Sequence, residues 1–487
     1  MSTAGELPGT GAAAVPRRSV DLVPDLLATA VRSAPRRHAV LAAGETVTYA
    51  ELADRVDRVA SWLAAAGVGR GDRVALRAAN SRLHIDVYLA AARIGAACVP
   101  LAPELADAEV ARLVSDARPA LATAAAGLPS LPESSDVVLI VYTSGTTGEP
   151  KGVCLSHAAV TANAAMNARS QEFGAHEVYL TSTPLHHTSA AARVFTMLDG
   201  AHTHVVMPQF EAGAWIEAVE SNRVTSAIIV PTQIQRILDH EAFSPQRLVS
   251  LRLLVYGTAP SAREQVWRMR QALGCGLYHG YGLSETLGVV TALTATDHAA
   301  LAGPDDPRLG SIGRAIAGAE VVVRRSGGSA TTPGEIGEIT VRTPKTMSGY
   351  WGDRAATEAA FSDGWLLTGD LATVDGDGYI TIVGRSKEII ISGGVNVHAA
   401  QVERAIAAHP DVEEVAVFGV PDPEWGEVPV AAVRAAAGSA LRPGGVADLV
   451  AKRLDRRSRP RQVVFVEDFP RTATGKIRRQ DLLSLLE

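Results

Sequence analysis

Hydroxyl and glycine residues surround a single lysine in one short segment, "YTSGTTGEPKGV", which runs from Tyr142 to Val153. Gly145 and Gly148 leave backbone N–H groups accessible, Lys151 adds a positive charge, and four side chains add hydroxyls, all of which suit phosphate oxygens. The hydroxyls are those of Thr143, Ser144, Thr146 and Thr147. A proline precedes the lysine and a glycine follows it, so the segment is not a Walker loop, which needs glycine before the lysine and Ser or Thr after it. A polar surface loop is the alternative when the segment is considered alone.

Later segments contain the other groups that a nucleotide site needs. "GTAP", which begins at Gly257, and "HGYGLSET", which begins at His279, contain glycines that let the backbone approach a flat ring closely. In the second of them, Tyr281 offers an aromatic face for stacking and Glu285 offers a carboxylate for a hard cation. Asp370, in "TGD", can accept hydrogen bonds from a diol. Considered alone, Tyr281 could be a core aromatic, Glu285 a solvated charge and Asp370 a turn residue. The hypothesis of a nucleotide site therefore depends on their combination.

The elements that must position these residues follow an α/β pattern. From Thr48, a T-x-x-E capping box with Glu51 opens an apolar pattern of helical spacing that stops at Gly67, which predicts an amphipathic helix. Short β-like runs then alternate with Ala- and Leu-rich stretches, which predicts parallel sheets covered by helices. After about residue 305 the chain becomes rich in glycine and turns, and the pair Asp377-Gly378 predicts an antiparallel hairpin.

A compact β-α-β pattern begins beyond Arg385 and predicts a separate small domain. We therefore expect an α/β fold with a loose N-terminal tail over 1–19, a large domain over 20–385 and a small α+β domain over 386–487. The large domain should contain helix-wrapped sheets and a small β-barrel-like subdomain.

Taken together and in this order, the motifs resemble the signature of the adenylate-forming (AMP-binding) superfamily. Its members include acyl-CoA and aryl-CoA synthetases, luciferases and the adenylation domains of nonribosomal peptide synthetases. The resemblance covers nearly the whole chain from about residue 20. Several motifs in one order are more specific than any one of them. The resemblance implies an ATP-dependent ligase with a mobile C-terminal domain. It would activate a carboxylic acid as an acyl adenylate, release pyrophosphate, and transfer the acyl group to the thiol of coenzyme A or a carrier protein's phosphopantetheine.

The resemblance also assigns roles to residues of the large domain. It implies that the hydroxyl-rich segment and Lys151 hold the departing phosphates, that Glu285 and Thr143 bind Mg²⁺ with help from Thr286, and that His187 lies beside the acyl carboxylate. Residues of the adenine site follow from the same comparison. They are Gly257, Thr258, Ala259, Gly280, Tyr281 and Gly282.

Further roles fall near or within the predicted small domain. Asp370 and Arg385 would bind the ribose, with Arg385 also facing the phosphate side, and Lys387 would be the hinge of the mobile domain. Lys476, in "PRTATGKIRR", would stabilise charge as the carboxylate attacks the α-phosphate, and is the main catalytic candidate. In the thiol-transfer step, "ISGGVNV", with Gly393 and Gly394, would move to the site.

The acceptor and the acid stay open at this stage. After "SGG-x-N", most CoA ligases have approximately "YPAEVE", whereas this chain has "HAAQVE" from His398 to Glu403. An acceptor that is not a thiol, such as an amine, therefore remains an alternative, as does nitrite activation, and so does a nucleotide-binding protein without catalysis. A medium-sized acid, aromatic or aliphatic, is expected, and Arg193 either pairs with a second anion on it or braces its helix.

Composition argues against several classes of partner. A net charge of −6, with acids and bases mixed along the chain, provides no electrostatic footprint for nucleic acid. No apolar run of about 18 residues occurs, so no membrane span is expected. Cys98, Cys154 and Cys275 are far apart without a C-x-x-C pair, which argues against disulfides or zinc and fits a reducing cytoplasm. We expect a soluble cytoplasmic protein that binds a small carboxylic acid, with an acyl carrier protein as a further option and a homodimer left open.

Overall fold

The computed structural model of this 487-residue chain describes residues 22–119, 136–143, 150–257, 263–325, 328–393, 395–454, 456–470 and 477–486. Helices and strands alternate along most of these residues. The helices are α1 (Val23–Ser33), α2 (Tyr49–Ala65), α3 (Arg82–Arg93), α4 (Asp107–Ala117), α5 (His157–Ser170), α6 (Thr188–Leu198), α7 (Ala212–Ser221), α8 (Pro231–Leu238), α9 (Arg263–Ala272), α10 (Ala295–Ala299), α11 (Arg354–Ala359), α12 (Ala399–Ala407) and α13 (Pro443–Ala451).

Strands form four sheets. In chain order they are β1 (His38–Ala42), β2 (Glu45–Thr48), β3 (Arg73–Arg77), β4 (Ala97–Leu101), β5 (Val137–Thr143), β6 (Lys151–Ser156), β7 (Val178–Thr181), β8 (Thr203–Val206), β9 (Ser226–Ile229), β10 (Leu253–Gly257), β11 (Gly276–Leu283), β12 (Gly288–Leu293), β13 (Arg314–Ala315), β14 (Glu320–Arg324), β15 (Gly337–Arg342), β16 (Gly349–Tyr350), β17 (Phe361–Ser362), β18 (Trp365–Val374), β19 (Ile380–Arg385), β20 (Ile389–Ser392), β21 (Val395–His398), β22 (Val412–Asp422), β23 (Gly426–Ala435) and β24 (Gln462–Phe465).

The largest sheet has nine strands in the order β13-β12-β11-β10-β9-β7-β8-β1-β2. Its central strands, from β1 through β8, β7, β9 and β10 to β11, are parallel, and antiparallel strands complete both edges. The central strands are buried, as is usual when helices cover both faces of a parallel sheet. The carboxyl ends of β10 and β11 lie side by side, which places two of the predicted nucleotide-binding segments together.

A second sheet has five strands in the order β16-β6-β5-β4-β3. Strands β5 and β6 form an antiparallel hairpin in which Thr143 pairs with Lys151, and β16 pairs with the other edge of β6. The predicted phosphate-binding segment connects these two strands in the sequence, and its residues 144–149 lie outside the described ranges.

Helix α2 confirms the predicted capping box. The Thr48 backbone N–H donates to Glu51 Oε2 at 2.8 Å, and the Glu51 N–H donates back to Thr48 Oγ1 at 3.3 Å. The helix buries Leu52, Val56 and Leu63 in a core that it shares with α1, α3 and α6. The predicted helical period therefore identified the face that packs inward.

The two remaining sheets lie later in the chain. One has the strand order β14-β15-β18-β17, with β19 paired to β18, and Asp375–Tyr379 forms the turn of the predicted β18–β19 hairpin. The other has the order β21-β20-β23-β22, with β24 parallel to β23, and packs against α12 and α13. This α+β arrangement confirms the predicted pattern of the C-terminal region.

Contacts divide the chain into two compact units. The described residues up to Val321, together with Val341–Leu366, form the first unit, and Val322–Thr340 and the described residues from Leu367 onward form the second. The predicted domain boundary at residue 385 lies later than this division and stays a prediction. None of the helices in the described ranges is both long and apolar enough to cross a membrane.

Candidate active site

Lys151 lies at the start of β6, beside the predicted phosphate-binding segment. Its Nζ lies 5.1 Å from the centre of the Tyr350 ring, so the ammonium group rests on an aromatic face. The Tyr350 hydroxyl donates to Glu285 Oε1 at 2.8 Å. One tyrosine therefore connects the predicted phosphate-binding lysine with the predicted metal-binding carboxylate, although Tyr350 was not among the predicted site residues.

The position of Tyr350 follows from strand pairing. Tyr350 is in the two-residue strand β16, where it pairs with Val153 of β6. The backbone N–H of Met347, two residues before β16, donates to the Glu285 carbonyl at 2.7 Å, which fixes the Glu285 turn beside the start of that strand. Burial and the adjacent Glu285 charge raise the pKa of Tyr350 well above its ordinary value, so its hydroxyl remains a donor at neutral pH.

Glu285 and Thr286 occupy a short 3₁₀ turn between β11 and β12. The Thr286 side chain is fully buried, and its Oγ1 accepts the Leu283 N–H at 3.0 Å and lies 2.8 Å from the Gly288 carbonyl oxygen. These contacts make Thr286 a residue that shapes the turn. Its predicted help to the metal ion would act through the position of Glu285.

The N-terminus of α6 approaches the same turn. Thr188, the first residue of α6, donates from Oγ1 to Ser284 Oγ at 2.9 Å, so His187, at the N-cap of the helix, lies near the Glu285 turn. The rings of His186 and His187 have their centres 4.4 Å apart. His186 is buried, and this burial lowers its pKa, whereas His187 is partly exposed. His187 is therefore the better placed of the two for contact with a substrate.

The predicted adenine-binding glycines sit where backbones approach closely. A Cβ on Gly257, which has a φ of +154°, would lie 2.6 Å from the Gly280 carbonyl oxygen, and a Cβ on Gly282 would lie 1.9 Å from the Gly288 oxygen. No side chain fits in these spaces. Tyr281 lies between two of these glycines and pairs with Thr291 beside an irregularity in the β11–β12 ladder. Thr258 and Ala259 lie outside the described residues.

Buried aromatic rings hold these strand ends from behind. Tyr256 and His279 are register partners in β10 and β11, and their rings stack at 4.8 Å. His298 Nδ1 donates to the Thr294 carbonyl at 2.8 Å, so its Nε2 accepts a 2.8 Å hydrogen bond from the Tyr256 hydroxyl. Burial lowers the pKa of both histidines to about 4, so this stack is uncharged at neutral pH.

Residues predicted to bind the ribose meet within the second unit. Asp370 and Arg385 are register partners in β18 and β19, and Arg385 Nε lies 2.8 Å from Asp370 Oδ1. Asp370 is 5% exposed and Arg385 is 45% exposed, so the ion pair has one buried and one solvated end. Lys387 follows in an exposed 3₁₀ turn before β20.

The backbone conformation and the close packing at Gly393 require glycine. Its φ is +56°, its N–H donates to the Trp425 carbonyl at 2.8 Å, and a Cβ there would lie 2.6 Å from the Trp425 ring. Gly394 and Lys476 lie outside the described residues, so their predicted roles are untested by geometry.

Arg193 is buried within the first unit. Its guanidinium donates from Nη1 to Gln171 Oε1 at 3.1 Å and lies 5.0 Å from the centre of the Tyr179 ring. These contacts brace α6 against the residues that follow α5. A second buried cation is Lys345, which the sequence does not indicate, because "TPKT" is typical of an ordinary polar turn.

The described residues fit the way in which proteins hold Mg²⁺ with a nucleotide. No group of three or more His, Cys, Asp or Glu side chains in the described ranges is arranged to hold a metal ion. Mg²⁺ usually binds one or two carboxylates plus substrate phosphates, so the single carboxylate of Glu285 beside the hairpin that is predicted to bind phosphate is a suitable donor set.

Comparison with known proteins agrees with this geometry. The AMP-binding enzyme family matches residues 27–131 and 123–351, and the AMP-binding enzyme C-terminal domain matches residues 401–476. The chain is 38% identical over 476 residues to a feruloyl-CoA synthase of Amycolatopsis sp., which covers 92% of this chain and 95% of the relative. It is 34% identical over 501 residues to an indoleacetate–CoA ligase of Aromatoleum aromaticum. This match covers 92% of this chain and 97% of the relative.

Solved structures show the same fold. An amide bond synthetase from Marinactinospora thermotolerans has a TM-score of 0.84 and 31% identity, with 96% of this chain and 100% of that chain covered. The o-succinylbenzoate CoA synthetase of Bacillus subtilis, bound to its acyl-adenylate intermediate, has a TM-score of 0.84 and 27% identity. This match covers 94% of this chain and 98% of that chain. The comparisons confirm the predicted resemblance and the predicted class of enzyme. The chain belongs to the family of AMP-binding, adenylate-forming enzymes.

Proposed function

We propose that this chain activates a carboxylic acid with ATP and transfers the acyl group to the thiol of coenzyme A. The observation that carries this proposal is the arrangement of Lys151, Tyr350 and Glu285 beside the β5–β6 hairpin. The cation and the carboxylate both contact the same tyrosine. Together they suit the phosphates of ATP and the ion that accompanies them.

In the first step, a carboxylate oxygen of the acid attacks the α-phosphorus of ATP, and the bond to the bridging oxygen of pyrophosphate breaks. The chain's part is to position the reactants and to neutralise charge. Lys151 holds the departing phosphates, and Glu285, oriented by the Tyr350 hydroxyl, would hold Mg²⁺, whose charge would offset that of the phosphates. Lys476 stabilises the charge that develops at the α-phosphate.

Residues of the predicted large domain hold the nucleoside. The glycine-rich ends of β10 and β11 leave room for the adenine, with Tyr281 as the stacking residue. Asp370 accepts hydrogen bonds from the ribose hydroxyls, and the partly exposed Arg385 contacts the phosphate side. In the second step the small domain turns about Lys387 and brings the segment that contains Gly393 to the acyl adenylate.

The acid is expected to bind next to His187. The feruloyl and indoleacetate groups in the names of two relatives both contain an aromatic ring, which favours an aromatic acid over an aliphatic one. A third relative, a fatty acid–[acyl-carrier-protein] ligase of Streptomyces coeruleorubidus, is 30% identical over 487 residues and covers 92% of this chain and 93% of its own length. A carrier protein is therefore an alternative thiol donor.

An amine acceptor is a second candidate. The similarity to an amide bond synthetase over 96% of the chain favours it, as does the "HAAQVE" segment, in which His398 replaces the usual tyrosine before α12. Such an enzyme would share the first step and differ only in the nucleophile that attacks the acyl adenylate. Nitrite as the activated acid remains within the same alternative.

Pyrophosphate exchange tests the first step. Incubation with labelled pyrophosphate, ATP and each of a panel of aromatic and aliphatic acids and nitrite should incorporate label into ATP only with an accepted acid. Failure with every acid would contradict the proposal. Thioester formation on addition of coenzyme A would support the thiol acceptor, and exchange without a thioester would favour the carrier protein or the amine.

The role of Lys476 has its own test. Lys476→Ala should reduce adenylation at least a hundredfold, a loss of about 3 kcal/mol of transition-state stabilisation, while transfer from a preformed acyl adenylate changes little. Equal losses in both half-reactions would contradict its assignment to the first step.

A further inference from the structure

A group of polar side chains lies inside the first unit, between α5, α6 and the largest sheet. We call it the buried polar cluster, and it consists of Asn163, Asn167, Gln171, Arg193 and Lys345. The three amides recur every four residues, along and just beyond one face of α5, so they form a polar stripe on a helix that otherwise packs inward. All five side chains are at most 3% exposed.

Two of these residues are cations, and neither has an anionic partner among the residues that the structure describes. Lys345 Nζ donates to Asn163 Oδ1 at 3.0 Å and to the Val289 carbonyl. Arg193 donates to Gln171 Oε1 at 3.1 Å. Within the described ranges, neither cation takes part in a salt bridge. Buried charges are normally paired, because moving an unpaired ion out of water costs roughly several kcal/mol.

The same cluster contains N–H donors with no acceptor. Asn163 Oδ1 accepts from both Lys345 and Asn167, and Gln171 Oε1 accepts from Arg193, which fixes both amide orientations. Among the described residues, Asn163 Nδ2, Gln171 Nε2 and Arg193 Nε are then three buried donors without a partner, against one unpartnered buried acceptor in the cluster, Asn167 Oδ1. Burial, and secondly the Arg193 charge, lower the pKa of Lys345 to about 7. Unpaired donors and two cations together are complementary to an oxyanion.

The cluster lies beyond the predicted position of the reacting carboxylate. Arg193 follows His187 by six residues on α6, which corresponds to about 9 Å along the helix axis. Val289, whose carbonyl accepts from Lys345, is four residues beyond Glu285, the predicted metal-binding carboxylate. Helix α6 and the segment from Glu285 to Val289 therefore each connect the predicted position of the reacting carboxylate with the cluster.

We propose that the buried polar cluster binds a second carboxylate at the far end of the acid, so that the preferred substrate is a dicarboxylic acid. The far carboxylate would accept from Lys345, Arg193 and the unpaired amide donors, and would supply the negative charge that the cluster lacks. This proposal rests on the proposed function and names the substrate class of the same site.

Matched pairs of acids test the substrate class. The pairs are benzoate with terephthalate, cinnamate with 4-carboxycinnamate, and hexanoate with adipate. In at least one pair, the wild-type enzyme should exchange pyrophosphate with a kcat/KM at least tenfold higher for the diacid. Lys345→Met should reduce that ratio at least tenfold, chiefly through the KM of the diacid, because the far contact is the same in ground state and transition state. Lys452→Met, at an exposed position in the second unit, is the matched control and should leave the ratio unchanged.

The outcomes distinguish the dicarboxylate proposal from the proposed function. Exchange with monoacids at least as fast as with diacids in every pair, or an unchanged ratio in Lys345→Met, would overturn the dicarboxylate proposal and leave the proposed function standing. Failure of every acid would overturn the proposed function itself. If Lys345→Met does not fold, Lys345→Gln replaces it. In addition, 4-carboxycinnamate should raise the thermal unfolding midpoint of the wild type more than cinnamate does, and an equal shift would count against the proposal.

Discussion

Tyr350→Phe tests whether the Tyr350 hydroxyl orients Glu285 for catalysis. The substitution removes the hydroxyl that donates to Glu285 Oε1 at 2.8 Å and keeps the aromatic face 5.1 Å from Lys151 Nζ. A hydrogen bond to a charged group contributes about 1.5–3 kcal/mol, and the lower end applies because Glu285 is partly exposed. A loss of about 1.5 kcal/mol corresponds to roughly a tenfold lower rate. We therefore expect kcat/KM for ATP in pyrophosphate exchange to fall about tenfold, with little change in the KM of the acid.

Tyr49→Phe provides the matched control. The Tyr49 hydroxyl donates to the His202 carbonyl at 2.6 Å within the core of the first unit, and Tyr49 is not among the predicted site residues. Its loss should lower the thermal unfolding midpoint and leave exchange at 25 °C within about twofold of the wild type, because a folded enzyme keeps its site. The reasoning would be refuted if Tyr350→Phe exchanged as fast as the wild type, or lost no more activity than Tyr49→Phe. The raised pKa of Tyr350 also implies that the ratio of wild-type to Tyr350→Phe activity stays constant between pH 6 and 9.

Three further predictions concern the strand ends, the ion pair and pH. Gly257→Ala should raise the KM for ATP several-fold and lower the unfolding midpoint, since the new Cβ would lie 2.6 Å from the Gly280 oxygen; unchanged steady-state kinetics would contradict the close approach. Arg385→Gln should lower the free energy of unfolding by about 1 kcal/mol in denaturant titration, because it leaves the buried Asp370 carboxylate with a weaker partner, and an unchanged midpoint would show that the pair does not stabilise the fold. Burial lowers the pKa of His157 to about 4, so its neutral form is favoured in the folded state; stability from this group is present above the unfolded pKa and is lost as pH falls from about 6.5 towards 4. Thermal unfolding should show a falling midpoint over that interval, and His157→Gln should flatten the fall, whereas an identical pH profile would contradict this assignment.

The sequence by itself determined those features that depend on neighbours along the chain. The capping box of α2 joins Thr48 to Glu51, three residues apart, and the hairpin between β18 and β19 follows from the turn residues Asp377 and Gly378. Local hydrogen bonds and backbone preferences decide such elements, so they can be predicted from a few residues. The order of motifs was also sufficient to identify the family, because each motif keeps its own spacing wherever the fold places it.

Only the tertiary structure decided which distant side chains meet. Tyr350 and Glu285 are 65 residues apart, and Lys345 and Asn163 are 182 residues apart. Periodicity reports whether a side chain faces the core of its own element, but the partner that it finds there depends on strand order and on the packing of helices over the sheets. Lys345 illustrates this limit, since a lysine in a polar turn is ordinarily solvated. Only the packing of that turn against α5 and β12 buries it, with no counter-charge among the described residues.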